Sequence, residues 1–103
     1  RLYKIWEKVE ICRAITQRAC NFNVIGQPHV LASITAKVTV TEHALAAVSE
    51  SMQLFGGNGL TREYPLEKMY RDARAATVED GENHVLGLVA AGHLSKWYRH
   101  HNE

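Results

Sequence analysis

Apolar residues recur every three or four positions along stretches of about twenty residues, and chain breakers interrupt that rhythm at only three places. Such spacing lays an apolar stripe along one face of an α-helix, and a chain of long stripes has to bury them against one another. Leu2, Ile5, Trp6, Val9, Cys12 and Ile15 form the first stripe and predict a helix over about 2–21. Residues 23–28 break it with Gly26 and Pro28. Leu31, Ile34, Val38, Leu45, Val48 and Met52 predict a second helix over about 29–54, with Pro28 tolerated at its start. The β-branched run 35–41 leaves a strand open locally, while the Ala-rich residues 44–47 and the length of the segment favour helix. After a glycine-rich loop at 56–59, Pro65 suits the first turn of a short helix ending near Asp72, and 74–80 is ambiguous in type. A turn at 80–83 leads into a last helix carrying Val85, Leu86, Val89, Leu94 and Trp97, and the polar tail 98–103 is expected to fray. The predicted fold is all-α, an antiparallel up-and-down helical bundle. Its 103 residues suit one domain.

Composition narrows function mainly by exclusion. Hydrophobic residues at 46% and charged residues at 22% are ordinary for a globular chain, and a net charge of +1 creates no field to draw in nucleic acid or an anionic membrane. No run approaches the ~18 apolar residues of a membrane span. The chain starts at Arg1 without Met or a signal-peptide pattern, so it is expected to be a piece of a longer protein. Cys12 and Cys20 on one helix would stand about 12 Å apart, too far for a disulfide. They are expected to be small, buried or half-buried apolar side chains in a reduced, cytoplasmic setting.

Three constellations invite chemistry. His29, His43, His84, His93, His100 and His101 show no ligand-type pairing, so solvated or singly hydrogen-bonded histidines are expected and no metal site is assigned. Gly56-Gly57-Asn58-Gly59 is either a helix-terminating turn or a cradle of backbone N–H groups for a phosphate; it matches neither a phosphate loop nor a dinucleotide fingerprint. Glu79-Asp80-Gly81-Glu82 places carboxylates at the mouth of the last helix, where the helix dipole stabilises them and where one could also serve as a general base. Local sequence leaves both pairs of readings open.

Taken together, residues 52–74 (MQLFGGNGLTREYPLEKMYRDAR) closely resemble a stretch of the acyl-CoA dehydrogenase family. The shared order is Gln, two residues, Gly-Gly-x-Gly, a Glu-Tyr-Pro-like turn, then Tyr-Arg-Asp-Ala-Lys/Arg. The flanking helices fit the family's C-terminal bundle. The resemblance implies that 1–103 is that bundle, lacking its first helix and the upstream N-terminal and β domains. It implies a flavoprotein that uses FAD for α,β-dehydrogenation of an acyl-CoA thioester and passes electrons to an electron-transfer flavoprotein. It also implies a homo- or hetero-oligomer (dimer or tetramer), placed in the mitochondrial matrix if eukaryotic. The 103 residues alone are expected to be inactive.

Site residues follow from the same resemblance. Gln53, Gly56 and Gly57 occupy positions that in the family contact the FAD of a neighbouring subunit near its pyrophosphate. The family's catalytic Glu stands eight residues after the Asp of Arg-Asp-Ala and precedes Gly-Thr; the same count from Asp72 reaches Asp80, followed by Gly81 and Glu82. Asp80 would remove the α-proton, and its backbone N–H would help polarise the thioester carbonyl. A buried base of raised pKa suits that task. The shorter carboxylate leaves four readings open: a working base with a compensating backbone shift, a nitroalkane-oxidase-like relative, a base outside this chain, or a catalytically silent subunit or interaction domain. Glu79 takes the position if the register slips by one.

Overall fold

A computed structural model describes the backbone of residues 1–27 and 29–102 and the side chains of those residues up to His100. Among the described residues there are four α-helices, α1 (Leu2–Val24), α2 (Val30–Phe55), α3 (Leu66–Ala76) and α4 (Asn83–Asn102), with a short 3-10 helix at Gly56–Leu60 between α2 and α3. Among the described residues there is no strand, and the predicted all-α class holds. The expectation about Pro28 lies outside the described residues.

Helices α1 and α2 form an antiparallel hairpin whose register can be read from three contacts. Arg1 pairs with Glu50 at 3.0 Å, the Cys12 thiol lies 4.0 Å from the Val40 carbonyl, and Phe22 stacks on His29 with ring centres 4.8 Å apart. Buried Ala19 and Ala32 fall on the same register, and such small side chains let two backbones approach closely. His29 starts α2 by accepting from the Ala32 N–H through Nδ1 at 3.1 Å, which meets one of the donors a helix start leaves unpaired. The β-branched run stays helical. Thr35 and Thr41 satisfy their hydroxyls on the carbonyls four residues back, Leu31 at 2.6 Å and Lys37 at 2.7 Å.

Three boundaries differ from expectation. Helix α1 continues to Val24, where Gly26 at φ 73° and the N–H groups of Ile25 and Gly26, bonded to Asn21 and Asn23, end it. Helix α3 runs past Asp72 to Ala76, held outside by i,i+4 pairs Lys68–Asp72 and Glu67–Arg71, which resolves the ambiguous residues as helix and then turn. The tail does not fray before Asn102 but continues α4.

Helices α1, α3 and α4 each pack on α2 and, among the described residues, not on one another. Consequently the apolar stripes are only partly covered. Leu2 and Trp6 of the first stripe are exposed, as are Val85, Val89, Leu94 and Trp97 of α4, where Leu86, Ala90 and His93 face inward instead. The accessible surface is 7400 Å², against about 5,800 Å² for a compact monomer of this mass.

Candidate active site and cofactor groove

The turn between α3 and α4 begins where Val78 and Glu79 N–H groups both bond to the Ala75 carbonyl, at 3.0 and 3.1 Å. Asp80 then adopts a left-handed backbone, φ 54°, and Gly81 follows at φ 102°. A glycine is required at 81. A Cβ there would meet the Leu86 side chain at 3.0 Å, in a conformation L residues rarely adopt. Asp is one of the few non-glycine residues enriched in the left-handed region, so the residue type at 80 agrees with the local backbone.

Helix α4 starts on side chains from both directions. The Glu82 carboxylate accepts from the Val85 N–H at 3.1 Å, and backbone N–H groups of His84 and Val85 hold its pKa below the ordinary 4.5. Asn83 is buried; its amide donates to Thr41 Oγ1 at 2.9 Å and its backbone N–H to the Thr77 carbonyl at 3.0 Å. Lys37 reaches across from α2 and donates to Gly81 O at 2.8 Å, Asn83 Oδ1 at 2.6 Å and Thr77 O at 3.4 Å. Asp80 and Glu79 are both exposed, contrary to the expectation of a buried base. Among the described residues no wall covers them. Among the described residues the Asp80 N–H meets no acceptor.

Gln53, Gly56 and Gly57 line one groove of about 600 Å³, together with Met52, Tyr70 and Arg71. Two different physical causes underlie two of the glycines, and a third glycine has neither. Gly56 caps α2 at φ 62°, with its N–H on the Gln53 carbonyl. Gly59 lets the 3-10 helix touch α2, since a Cβ there would sit 2.8 Å from the Met52 carbonyl oxygen. Gly57 has neither constraint: a Cβ would meet nothing within 4 Å. Tyr70 and Arg71 belong to the Tyr-Arg-Asp-Ala string but were given no site role from the sequence; Arg71 pairs with the Glu67 carboxylate at 3.1 Å.

The groove and the Asp80 turn are not brought together. Lys37, which touches the turn, and Gln53, which lines the groove, are sixteen residues apart on α2, roughly 24 Å along its axis. Among the described residues no histidines gather into a group: His29 caps α2, and His43 Nδ1 lies 2.8 Å from the Thr39 carbonyl. Cys12 is half-buried, which raises its thiol pKa, whereas Cys20 is exposed rather than buried; both are free.

The sequence pattern of the acyl-CoA dehydrogenase C-terminal domain matches residues 1–95. The chain belongs to the acyl-CoA dehydrogenase family. Within that family it is 37% identical over 91 residues to the mitochondrial short-chain specific acyl-CoA dehydrogenase of Bos taurus, covering 88% of this chain and 22% of that one. It is 31% identical over 86 residues to a short-chain specific acyl-CoA dehydrogenase of Clostridium acetobutylicum, covering 84% and 23%. It is also 30% identical over 89 residues to an acryloyl-CoA reductase (NADH) of Anaerotignum propionicum, covering 86% and 23%. Among solved structures, a chain from a study of the electron transferring flavoprotein of Acidaminococcus fermentans superposes with a TM-score of 0.83 at 29% identity, covering 87% of this chain and 24% of that one. The acyl-CoA dehydrogenase C-terminal fold is thus established, and the chain spans about a quarter of the length of these relatives.

Proposed function

We propose that the chain serves an FAD-dependent acyl-CoA dehydrogenase by supplying the proton-abstracting carboxylate, from Asp80, and one wall of an FAD pyrophosphate site, from Gln53, Gly56 and Gly57. The observation that carries this reading is Gly57. It lines the groove, yet neither its φ nor any neighbour requires a glycine there, so its missing Cβ leaves open room over the backbone. Room of that kind lets a phosphate approach backbone N–H groups closely. Gln53 adds an amide donor and Arg71 a guanidinium shared with Glu67. The residues present fit a dinucleotide's pyrophosphate.

A bound FAD would supply the hydride acceptor for the β-carbon. Asp80 would take the α-proton onto a carboxylate oxygen while its unpaired N–H donates to the thioester carbonyl. Asp80 is exposed among the described residues, so the walls around its carboxylate would come from surfaces outside them. The groove and the turn meet α2 at different points, with Gln53 and Lys37 roughly 24 Å apart along its axis, which favours their serving two different flavins, and so an oligomer. Electron transfer to a flavoprotein acceptor and a matrix location in a eukaryote rest on the same family membership.

The test uses the full-length protein that carries this chain, purified with FAD. Acyl-CoAs should bleach the flavin, and Asp80→Asn should abolish bleaching with FAD retained. Gly57→Ala should weaken FAD retention at unchanged melting temperature. Bleaching by nitroalkanes and by no acyl-CoA would replace the dehydrogenase reading; full activity in Asp80→Asn would move the base elsewhere.

A further inference from the structure

We infer that Lys37 is the positioning residue of the Asp80 turn: its ammonium holds the two backbone carbonyls that bracket Asp80 and, through Asn83, the start of α4. An ammonium has three donors and no acceptor. Lys37 has an acceptor for each of them, on Thr77 O, Gly81 O and Asn83 Oδ1, all more than thirty-nine residues away along the chain. Thr77 O is shared with the Asn83 N–H, and the Asn83 amide is tied back to Thr41, one helical turn beyond Lys37 on α2. The turn is therefore clamped to α2 at both of its ends, with Asp80 between the clamped points.

The clamp answers a specific physical need. Two successive residues at positive φ, one of them not glycine, form a sparsely populated conformation that persists only when surrounding contacts hold it. Asp80 itself has no side-chain hydrogen bond among the described residues, so its direction is set by backbone alone. The carbonyls of Thr77 and Gly81 are the backbone groups that Lys37 fixes. Lys68, by contrast, pairs with Asp72 on the outer face of α3 and touches nothing in the turn.

The catalytic consequence rests on the reading of Asp80 as base, and the test separates the two. In the full-length FAD-loaded protein, Lys37→Met should lower kcat about 10²-fold, as a misplacement near 1 Å does, with KM for acyl-CoA within about twofold. Lys37→Arg, which keeps a charged multi-donor group, should recover about tenfold, and Lys68→Met should leave kcat unchanged. Independently of turnover, Lys37→Met should speed amide hydrogen exchange at Asn83 relative to the wild type, while amides of α1 keep their protection. Unchanged kcat in an active enzyme, or unchanged Asn83 exchange, overturns the inference. If the wild type turns over no acyl-CoA, the functional reading fails and the exchange measurement alone decides the role of Lys37. If Lys37→Met does not fold, Thr41→Val, which removes the acceptor of the Asn83 amide, is carried through the same readouts.

Discussion

At residue scale the α3–α4 turn is decided by backbone conformation as much as by side-chain chemistry. Asp80 and Gly81 occupy positive φ for different reasons: one has a short polar side chain, the other has none. Gly81→Ala puts a Cβ 3.0 Å from Leu86 in a disfavoured conformation, and should destabilise the protein by about 1–3 kcal/mol. Chemical denaturation of the wild type and variant reads this; an effect below about 0.5 kcal/mol would mean the turn relaxes freely. Glu82 provides a pH signature. Its folded pKa lies below 4.5 because of the His84 and Val85 N–H groups, so its support of α4 is fully present above that value and is lost as pH falls through the folded pKa. Protection of the Val85 amide, relative to its intrinsic exchange rate, should fall as pH drops through the lowered Glu82 pKa, and Glu82→Ala should show the lower protection already at pH 7.

At element scale the short 3-10 helix shows how one motif divides its labour. Gly56 ends α2, Gly59 permits close packing on Met52, and Gly57 is left to the groove. Gly59→Ala must push the 3-10 helix away from the α2 backbone, because the obstructing atom is a carbonyl oxygen with no rotamer to escape into. A loss of about 2–3 kcal/mol is expected, with FAD retention falling alongside it. Gly57→Ala should separate the two effects, losing FAD without losing stability. Equal melting temperatures for Gly59→Ala and the wild type would show that the 3-10 helix is not held against α2.

At the scale of the whole molecule, α2 is the axis on which everything else leans. Its C-terminal end carries the groove, Lys37 in its N-terminal half clamps the Asp80 turn, and α1 runs along it from His29 to Glu50. Only Ala19, Ala32 and Leu66 are buried apolar residues among those described, and the radius of gyration is 16.6 Å, against roughly 13 Å for a compact chain of this length. The isolated 103 residues should therefore unfold without a sharp transition and bind a hydrophobic dye such as ANS, whereas the full-length protein should do neither. Calorimetry and dye fluorescence on the two proteins check this. A single cooperative transition in the isolated chain would show that α2 and its three neighbours suffice as a core.

How much of this was legible beforehand depends on the range of the interaction responsible. Periodicity at 2–21 and 29–54 is local, so the helices, their order and the all-α class could be read directly from it. The ordered string from Gln53 to Arg74 likewise announced the family, because a motif is itself a local pattern. Helix ends were misjudged at Val24 and Ala76, where capping geometry and i,i+4 pairs prolong helices beyond their apolar stripes. The stripes themselves marked which faces are apolar, not which are covered: α4 turns Leu86, Ala90 and His93 inward and leaves Trp97 outside. Lys37 carried no signal at all, since its acceptors lie forty and more residues away and two of them are backbone carbonyls. The sequence by itself determined the helices and the family. Only the tertiary structure decided that Asp80 stands on a left-handed turn clamped to α2, because that arrangement depends on contacts between distant segments that no local spacing encodes.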